Sequence, residues 1–183
     1  MIVDVLLALL AMGLIAANVK FTRTAVWGQF PCPVPVADRF RACARIALGL
    51  TCACVALCLV AGGVLAFEKG GWTGVGSRLL NWHILLAGSL YFPWALLQQF
   101  LFQFYLLGRL RTFLPPHVAI PATGIAYALV HLPDVALTAS TAAMGIVWTL
   151  LYHRYRCLSP LALSHALLGS AFYYWVYGHD LAV

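Results

Sequence analysis

Apolar residues in this chain come in long runs, separated by short breaks that hold most of the charge and proline. Six runs stand out, at residues 2–17, 46–67, 83–108, 117–132, 135–152 and 158–177. A bilayer core of about 30 Å takes about 20 residues of apolar helix to cross. The runs therefore predict about six spans, and the fold class is all-α, a polytopic transmembrane helical bundle. At 1.5 Å per residue the third run would reach roughly 39 Å, so it must tilt, or bend near Pro93. Pro115-Pro116 separates it from the fourth run, and Pro133-Asp134 ends the fourth.

The breaks carry the topology. The first holds Lys20, Arg23, Arg39, Arg41 and Arg45, the third Arg109 and Arg111, the fifth His153, Arg154 and Arg156. The second and fourth hold only Lys69 and Arg78 between them. Basic residues concentrate in cytoplasmic loops, so the alternation predicts both termini outside and the basic loops in the cytoplasm. The first run opens with Asp4 and lacks a basic leader, which favours a first transmembrane helix over a cleaved signal peptide. The chain divides into two N-terminal helices with a basic, proline-rich loop (residues 1–80) and a four-helix core (residues 81–178).

Composition agrees on the solvent. The chain is 63% hydrophobic and 9% charged, with a mean hydropathy of +0.92. A soluble domain carries about 25% charged residues. The formal charge of +6 then reports topology and contact with lipid head groups, not nucleic-acid binding. Cys52, Cys54 and Cys58 lie in an apolar run without zinc-type pairing, so the cysteines are expected to be small apolar space-fillers.

Polar groups inside hydrocarbon are costly and face the bundle interior. The third run offers Gln98, Gln99 and Gln103, the fourth Tyr127 and His131, the sixth Ser164, His165 and Ser170, and Asp134 lies just past His131. Gln99 and Gln103 are four residues apart, as are Tyr127 and His131, so each pair shares a helix face. Three consecutive polar-marked helices suggest one shared interior site. Ordinary interhelical hydrogen bonding would also explain them.

The text around these residues resembles the CPBP family, which comprises type II CAAX prenyl endopeptidases and bacterial intramembrane glutamic proteases. That family carries a Glu-Glu-x-x-x-Arg helix, then an aromatic-x-x-x-His helix, then a His-x-x-x-Asn/Asp helix. Here the motifs read Gln98-Gln99-Phe100-Leu101-Phe102-Gln103, with Tyr105-Leu106-Leu107-Gly108-Arg109-Leu110 after it, then Tyr127-x-x-x-His131-Leu132-Pro133, then Leu163-Ser164-His165-Ala166-Leu167-Leu168-Gly169. The resemblance covers about residues 91–177. It implies an integral protein of a bacterial inner membrane whose substrate is a membrane-embedded or lipid-modified peptide.

The chain departs from the motifs in a patterned way. By the resemblance Gln98 stands where a glutamate activates water, and an amide is no base near neutral pH. Gly169 removes the side chain of the third motif, and Ser170 beside it offers a hydroxyl. The family's second glutamate and its arginine fall on Gln99 and Gln103. Stranding one of two buried charges costs roughly 3–5 kcal/mol, whereas two amides can replace the ion pair with a hydrogen-bonded pair. The resemblance thus implies a catalytic set of His131, His165, Gln98 and Gln99, supported by Gln103, Tyr127, Asp134, Gly169 and Ser170. In one reading the histidines carry the proton work of an endopeptidase and Asp134 orients His131. In the alternative, an inactive relative binds a membrane peptide or acts as a scaffold. Two histidines without a paired carboxylate or thiolate make a poor zinc set, so neither metal nor cofactor is expected.

Overall fold

A computed structural model describes residues 32–79 and 82–178, together with Gly13 and Ala17. The expected first span, residues 2–17, otherwise lies outside the described residues, as does the loop from 18 to 31. Every element among the described residues is helical. In chain order these are α1 (Val36–Leu79), α2 (His83–Gln99), a π segment (Phe100–Leu106), α3 (Leu107–Leu110), α4 (Pro116–Leu129), α5 (Val135–Tyr155), α6 (Ser159–Ala171) and a second π segment (Phe172–Tyr177). Among the described residues three helical runs are long and apolar enough to cross a membrane: Val36–Leu79, His83–Leu110 and Val135–Tyr155.

Burial is inverted relative to a water-soluble protein. Leu57, Val60 and Val64 on α1, and Leu85 and Leu90 on α2, are exposed, while Thr51, Gln99, Gln103, Thr149, Ser164, His165 and Ser170 are buried. Contiguous exposed apolar surface of this kind needs lipid against it, and the protein is an integral membrane protein.

Two elements start or stop where the runs alone did not place them. Helix α1 begins at Val36, directly after Pro35, and carries Asp38 in its first turn. An acidic residue there suits the positive end of the helix dipole, so residues 36–45 are helix and not loop. At its far end Gly70 and Gly71 leave helical geometry, Gly71 at φ 59. That left-handed conformation is open to glycine at little cost, and the chain returns to helix up to Leu79. The predicted loop 68–78 is thus a glycine break followed by more helix.

The described chain forms two compact units that interleave in sequence. The first contains residues 97–156, with residues 32–35. Within it α4 and α5 form a helical pair joined by the turn at 130–134, and the first π segment packs against both. Glycines bring the pair together. A Cβ on Gly124 would lie 2.6 Å from the Ile146 backbone nitrogen, and one on Gly145 would lie 2.9 Å from Tyr127 Cδ1 and 3.0 Å from the Gly124 carbonyl oxygen. Close backbone approach through small residues is the usual way membrane helices gain dispersion contacts.

The second unit contains the described residues of 36–96 and 157–178. Here Cys43, Ala47 and Thr51 are buried at four-residue intervals along α1, one stripe of the helix. The Thr51 hydroxyl meets the Ser164 hydroxyl of α6 at 2.6 Å. Further along, a Cβ on Gly62 would lie 2.6 Å from the Trp175 carbonyl oxygen, so α1 touches the backbone of the second π segment. Ala171, Tyr174 and Trp175 form a core there with Val55, Cys58, Leu59, Leu79 and Ile84. The described cysteines are free thiols.

Candidate functional site

In the first unit the glutamines sit where α2 gives way to the π segment. Gln99 is its N-terminal flanking residue, and the Leu107 N–H at its end donates to the Phe102 carbonyl, five residues back. Pi-helical turns are rare and are found disproportionately at functional sites. Gln99 and Gln103 are fully buried. Neither polar atom of the Gln99 amide has a hydrogen-bond partner among the described residues, and Gln98 Oε1 and Gln103 Oε1 have none either.

The expected Gln99–Gln103 amide pair does not form. Gln103 Nε2 donates instead to Thr149 Oγ1 of α5 at 3.3 Å, and that hydroxyl donates to the Gly145 carbonyl at 2.6 Å. The four-residue argument assumes α-helical geometry on both sides, and the π segment begins between the two glutamines. Its wider turns change the angle at which every later side chain leaves the helix.

Tyr127 is the fully buried hub of the same unit. Its ring meets Phe102 at 5.0 Å edge to face, Trp148 at 5.8 Å edge to face, and His131 at 5.6 Å. Edge-to-face geometry suits aromatic quadrupoles. The four-residue spacing of Tyr127 and His131 therefore does bring their rings together. His131 lies just beyond the end of α4, in the turn, with its backbone N–H bonded to the Ala128 carbonyl and its Nδ1 buried without a partner among the described residues. Asp134 is the N-cap of α5, where its Oδ1 accepts from the Leu137 N–H at 2.9 Å. Its backbone N–H donates to the His131 carbonyl at 3.2 Å.

His165, Gly169 and Ser170 belong to the second unit. His165 is buried on α6, and its Nε2 lies 3.3 Å from the Tyr91 hydroxyl of α2. The two rings meet edge to face at 5.4 Å. Gly169 lies under the same tyrosine: a Cβ there would stand 2.8 Å from Tyr91 Cε1. Ser170 Oγ is buried and has no hydrogen-bond partner among the described residues. The second π segment begins two residues after it.

Sequence reasoning missed Tyr91, Thr149 and the two contact glycines. The glycines had a visible signal. Gly124-x-x-x-Ala128 and Thr141-x-x-x-Gly145-x-x-x-Thr149 are small-x-x-x-small patterns, and the second contains Thr149. Tyr91 had none, since it is 74 residues from its histidine and looks like one more membrane aromatic. Among the described residues no group of three or more His, Cys, Asp or Glu side chains is placed to hold a metal.

These residues lie along one sequence segment. Residues 79–171 match the family described as type II CAAX prenyl endopeptidase Rce1-like, a stretch that covers about half of the chain. No curated protein and no solved structure matches the chain significantly. The matched segment opens at the last residue of α1 and closes at the last residue of α6. It takes in every glutamine, histidine and small residue described above, from Tyr91 to Ser170. With its helical, lipid-facing architecture, that match places the chain in the Rce1-like family of type II CAAX prenyl endopeptidases.

Proposed function

We propose that this CAAX protease-like membrane protein engages a membrane-embedded or lipid-modified peptide at an atypical centre in which Gln98 and Gln99 stand in place of the family's glutamates. The supporting observation is the Gln99 amide, fully buried with neither its donor nor its acceptor bonded among the described residues. Leaving a buried polar group without a partner costs about 1–3 kcal/mol. A chain under selection for stability alone would replace it with an apolar residue. A primary amide presents one acceptor and two donor hydrogens, which complements the carbonyl and N–H of a peptide backbone. Gln98 and Gln103 add two further acceptors.

The chemistry follows from what these groups can do. An amide orients a water or a carbonyl but takes no proton near neutral pH. Any hydrolysis draws its proton transfer from a histidine, with His131 in the same unit as the glutamines, and Gln98 has a positioning role. A specific observation supports this hydrolytic reading over a purely binding one: His131, in the same unit as the glutamines, has its Nδ1 buried with no partner among the described residues, a ring nitrogen left open for proton work. The peptide-binding relative without turnover is the alternative.

The test uses purified protein in detergent with two probes, a prenylated peptide bearing a C-terminal cysteine motif and a photoactivatable single-span peptide. Cross-linking to wild type that Gln99→Leu abolishes supports engagement, and equal labelling of both forms overturns it. Turnover by wild type that His131→Ala and His165→Ala remove makes the protein a peptidase. Turnover that appears only on Gln98→Glu makes it a disarmed relative. The proposed setting is a bacterial inner membrane with the basic segments cytoplasmic, which the exposed Arg41, Arg45 and Arg154 would suit through anionic lipid head groups.

A further inference from the structure

We propose that Tyr91 is a positioning residue for His165, that its phenol donates a hydrogen bond to Nε2 and so fixes the imidazole tautomer, and that Gly169 is glycine because the Tyr91 ring occupies the space its side chain would need. The inference deepens the function proposed above and rests on it only for the consequence to peptide engagement.

Three observations within the second unit carry it. The Tyr91 hydroxyl lies 3.3 Å from His165 Nε2, within hydrogen-bond reach. The rings meet at 5.4 Å with an interplanar angle of 82°, so the tyrosine packs on the imidazole as well as bonding to it. A Cβ on Gly169 would fall 2.8 Å from Tyr91 Cε1, closer than side-chain carbons approach one another. Residues 165 and 169 are four apart on one helix and share a face. With no side chain at 169, the polar partner on that face of His165 arrives from α2, a different helix.

The direction of the bond follows from the donors present. Among the described residues the Tyr91 hydroxyl bonds to His165 Nε2. Were Nε2 to carry the proton and donate, the phenol hydrogen would have no acceptor among the described residues in a part-buried contact, at a cost in free energy. With the phenol donating, Nε2 is the acceptor and Nδ1 carries the proton of the neutral ring. So held, the ring spends its one acceptor nitrogen on the phenol and presents Nδ1–H as a donor of fixed direction.

The experiment is nitrogen NMR of 15N-histidine-labelled full-length protein in detergent micelles, with the His165 signals assigned by their loss in His165→Gln. Wild type is expected to show His165 Nε2 as an unprotonated, hydrogen-bonded nitrogen. Tyr91→Phe keeps the ring and removes the hydroxyl, and is expected to move His165 to mixed tautomers with the melting temperature retained. It is also expected to weaken cross-linking of the prenylated peptide about fivefold, the factor that corresponds to one modest hydrogen bond. Gly169→Ala keeps the hydroxyl but displaces the ring, and is expected to disturb the same signals. A protonated Nε2 in wild type overturns the proposal, as does an unchanged His165 spectrum in Tyr91→Phe. The wild-type spectrum decides the tautomer even if a variant fails to fold. If the tautomer results hold and wild type engages no peptide, the function reading falls and the Tyr91–His165 assignment stands. If peptide engagement holds and the spectra do not, the reverse is true.

Discussion

Gln103 gives its amide hydrogen to the hydroxyl of Thr149 at 3.3 Å, and both side chains are fully buried. Thr149 donates its own hydrogen to the Gly145 carbonyl, so its lone pairs are available to accept. The contact joins the π segment after α2 to α5 and fixes where the glutamine points. Hydrogen bonds between membrane helices contribute about 0.6 kcal/mol on average and up to about 1.7.

Thr149→Val keeps the shape and removes the acceptor. It strands the Gln103 N–H in a dry site, so the loss should exceed the average bond and reach about 1 kcal/mol. Thermal unfolding in detergent would read this. Gln103→Leu combined with Thr149→Val removes both partners and should recover most of it, because two apolar groups of similar shape leave nothing unsatisfied. A double variant as unstable as the sum of the singles would show that the bond is not what holds the contact.

The α4–α5 crossing predicts a steric result. Gly145→Ala must move the Tyr127 ring or the Gly124 carbonyl. Overpacking of this kind costs about 1–3 kcal/mol, and here it also shifts the tyrosine whose ring meets His131. Gly63 is the control, since a Cβ there meets nothing within 4 Å. Gly63→Ala should be neutral or stabilising by up to about 1 kcal/mol, the helix-propensity difference. Parallel melting curves check the pair, and equal effects of the two would refute close contact as the reason for Gly145.

Asp134 separates structural from chemical work. As the N-cap of α5 its Oδ1 accepts from Leu137 N–H. Asn caps about as well as Asp, and Ala loses about 1 kcal/mol. Asp134→Ala should therefore lower the melting temperature, and Asp134→Asn should not. A role of the carboxylate in orienting His131 would instead show as loss of peptide turnover or cross-linking in Asp134→Asn at unchanged stability.

The helices and the residues of the site were legible in the sequence to the extent that they rest on local spacing. Length of apolar run placed α5 within a few residues, and proline placed both ends of the α4 region. Four-residue spacing paired Tyr127 with His131 correctly because α4 is regular almost to its end. The same spacing misled at Gln99 and Gln103 because the π segment begins between them, and its onset has no marker in FLFQFYL beyond a density of aromatics. Phe172 and Tyr177, five residues apart, meet at 4.9 Å in the other π segment, a contact that α-helical spacing would not bring onto one face. Helix α1 began early because Pro35 and Asp38 make a start signal that charge counting had assigned to a loop. The partner of His165 lay on another helix, where no periodicity reaches.

Gln99 sets stability against function. Its amide is fully buried and bonds to nothing among the described residues. Gln99→Met fills a similar volume with an unbranched apolar side chain. Removal of the unpaired group should stabilise the fold by about 1–2 kcal/mol, readable as a higher melting temperature in detergent. The same variant should abolish cross-linking of the prenylated peptide, because the donor and acceptor that match its backbone are gone. Functional sites commonly carry such a trade-off. Gln103→Met is the matched comparison: it also forfeits the bond to Thr149 and leaves that hydroxyl with one partner fewer, so its stability gain should be smaller or absent. A Gln99→Met protein that is destabilised by more than about 1 kcal/mol would mean the amide is satisfied within the fold. One that is stabilised yet still labels like wild type would mean the peptide binds elsewhere.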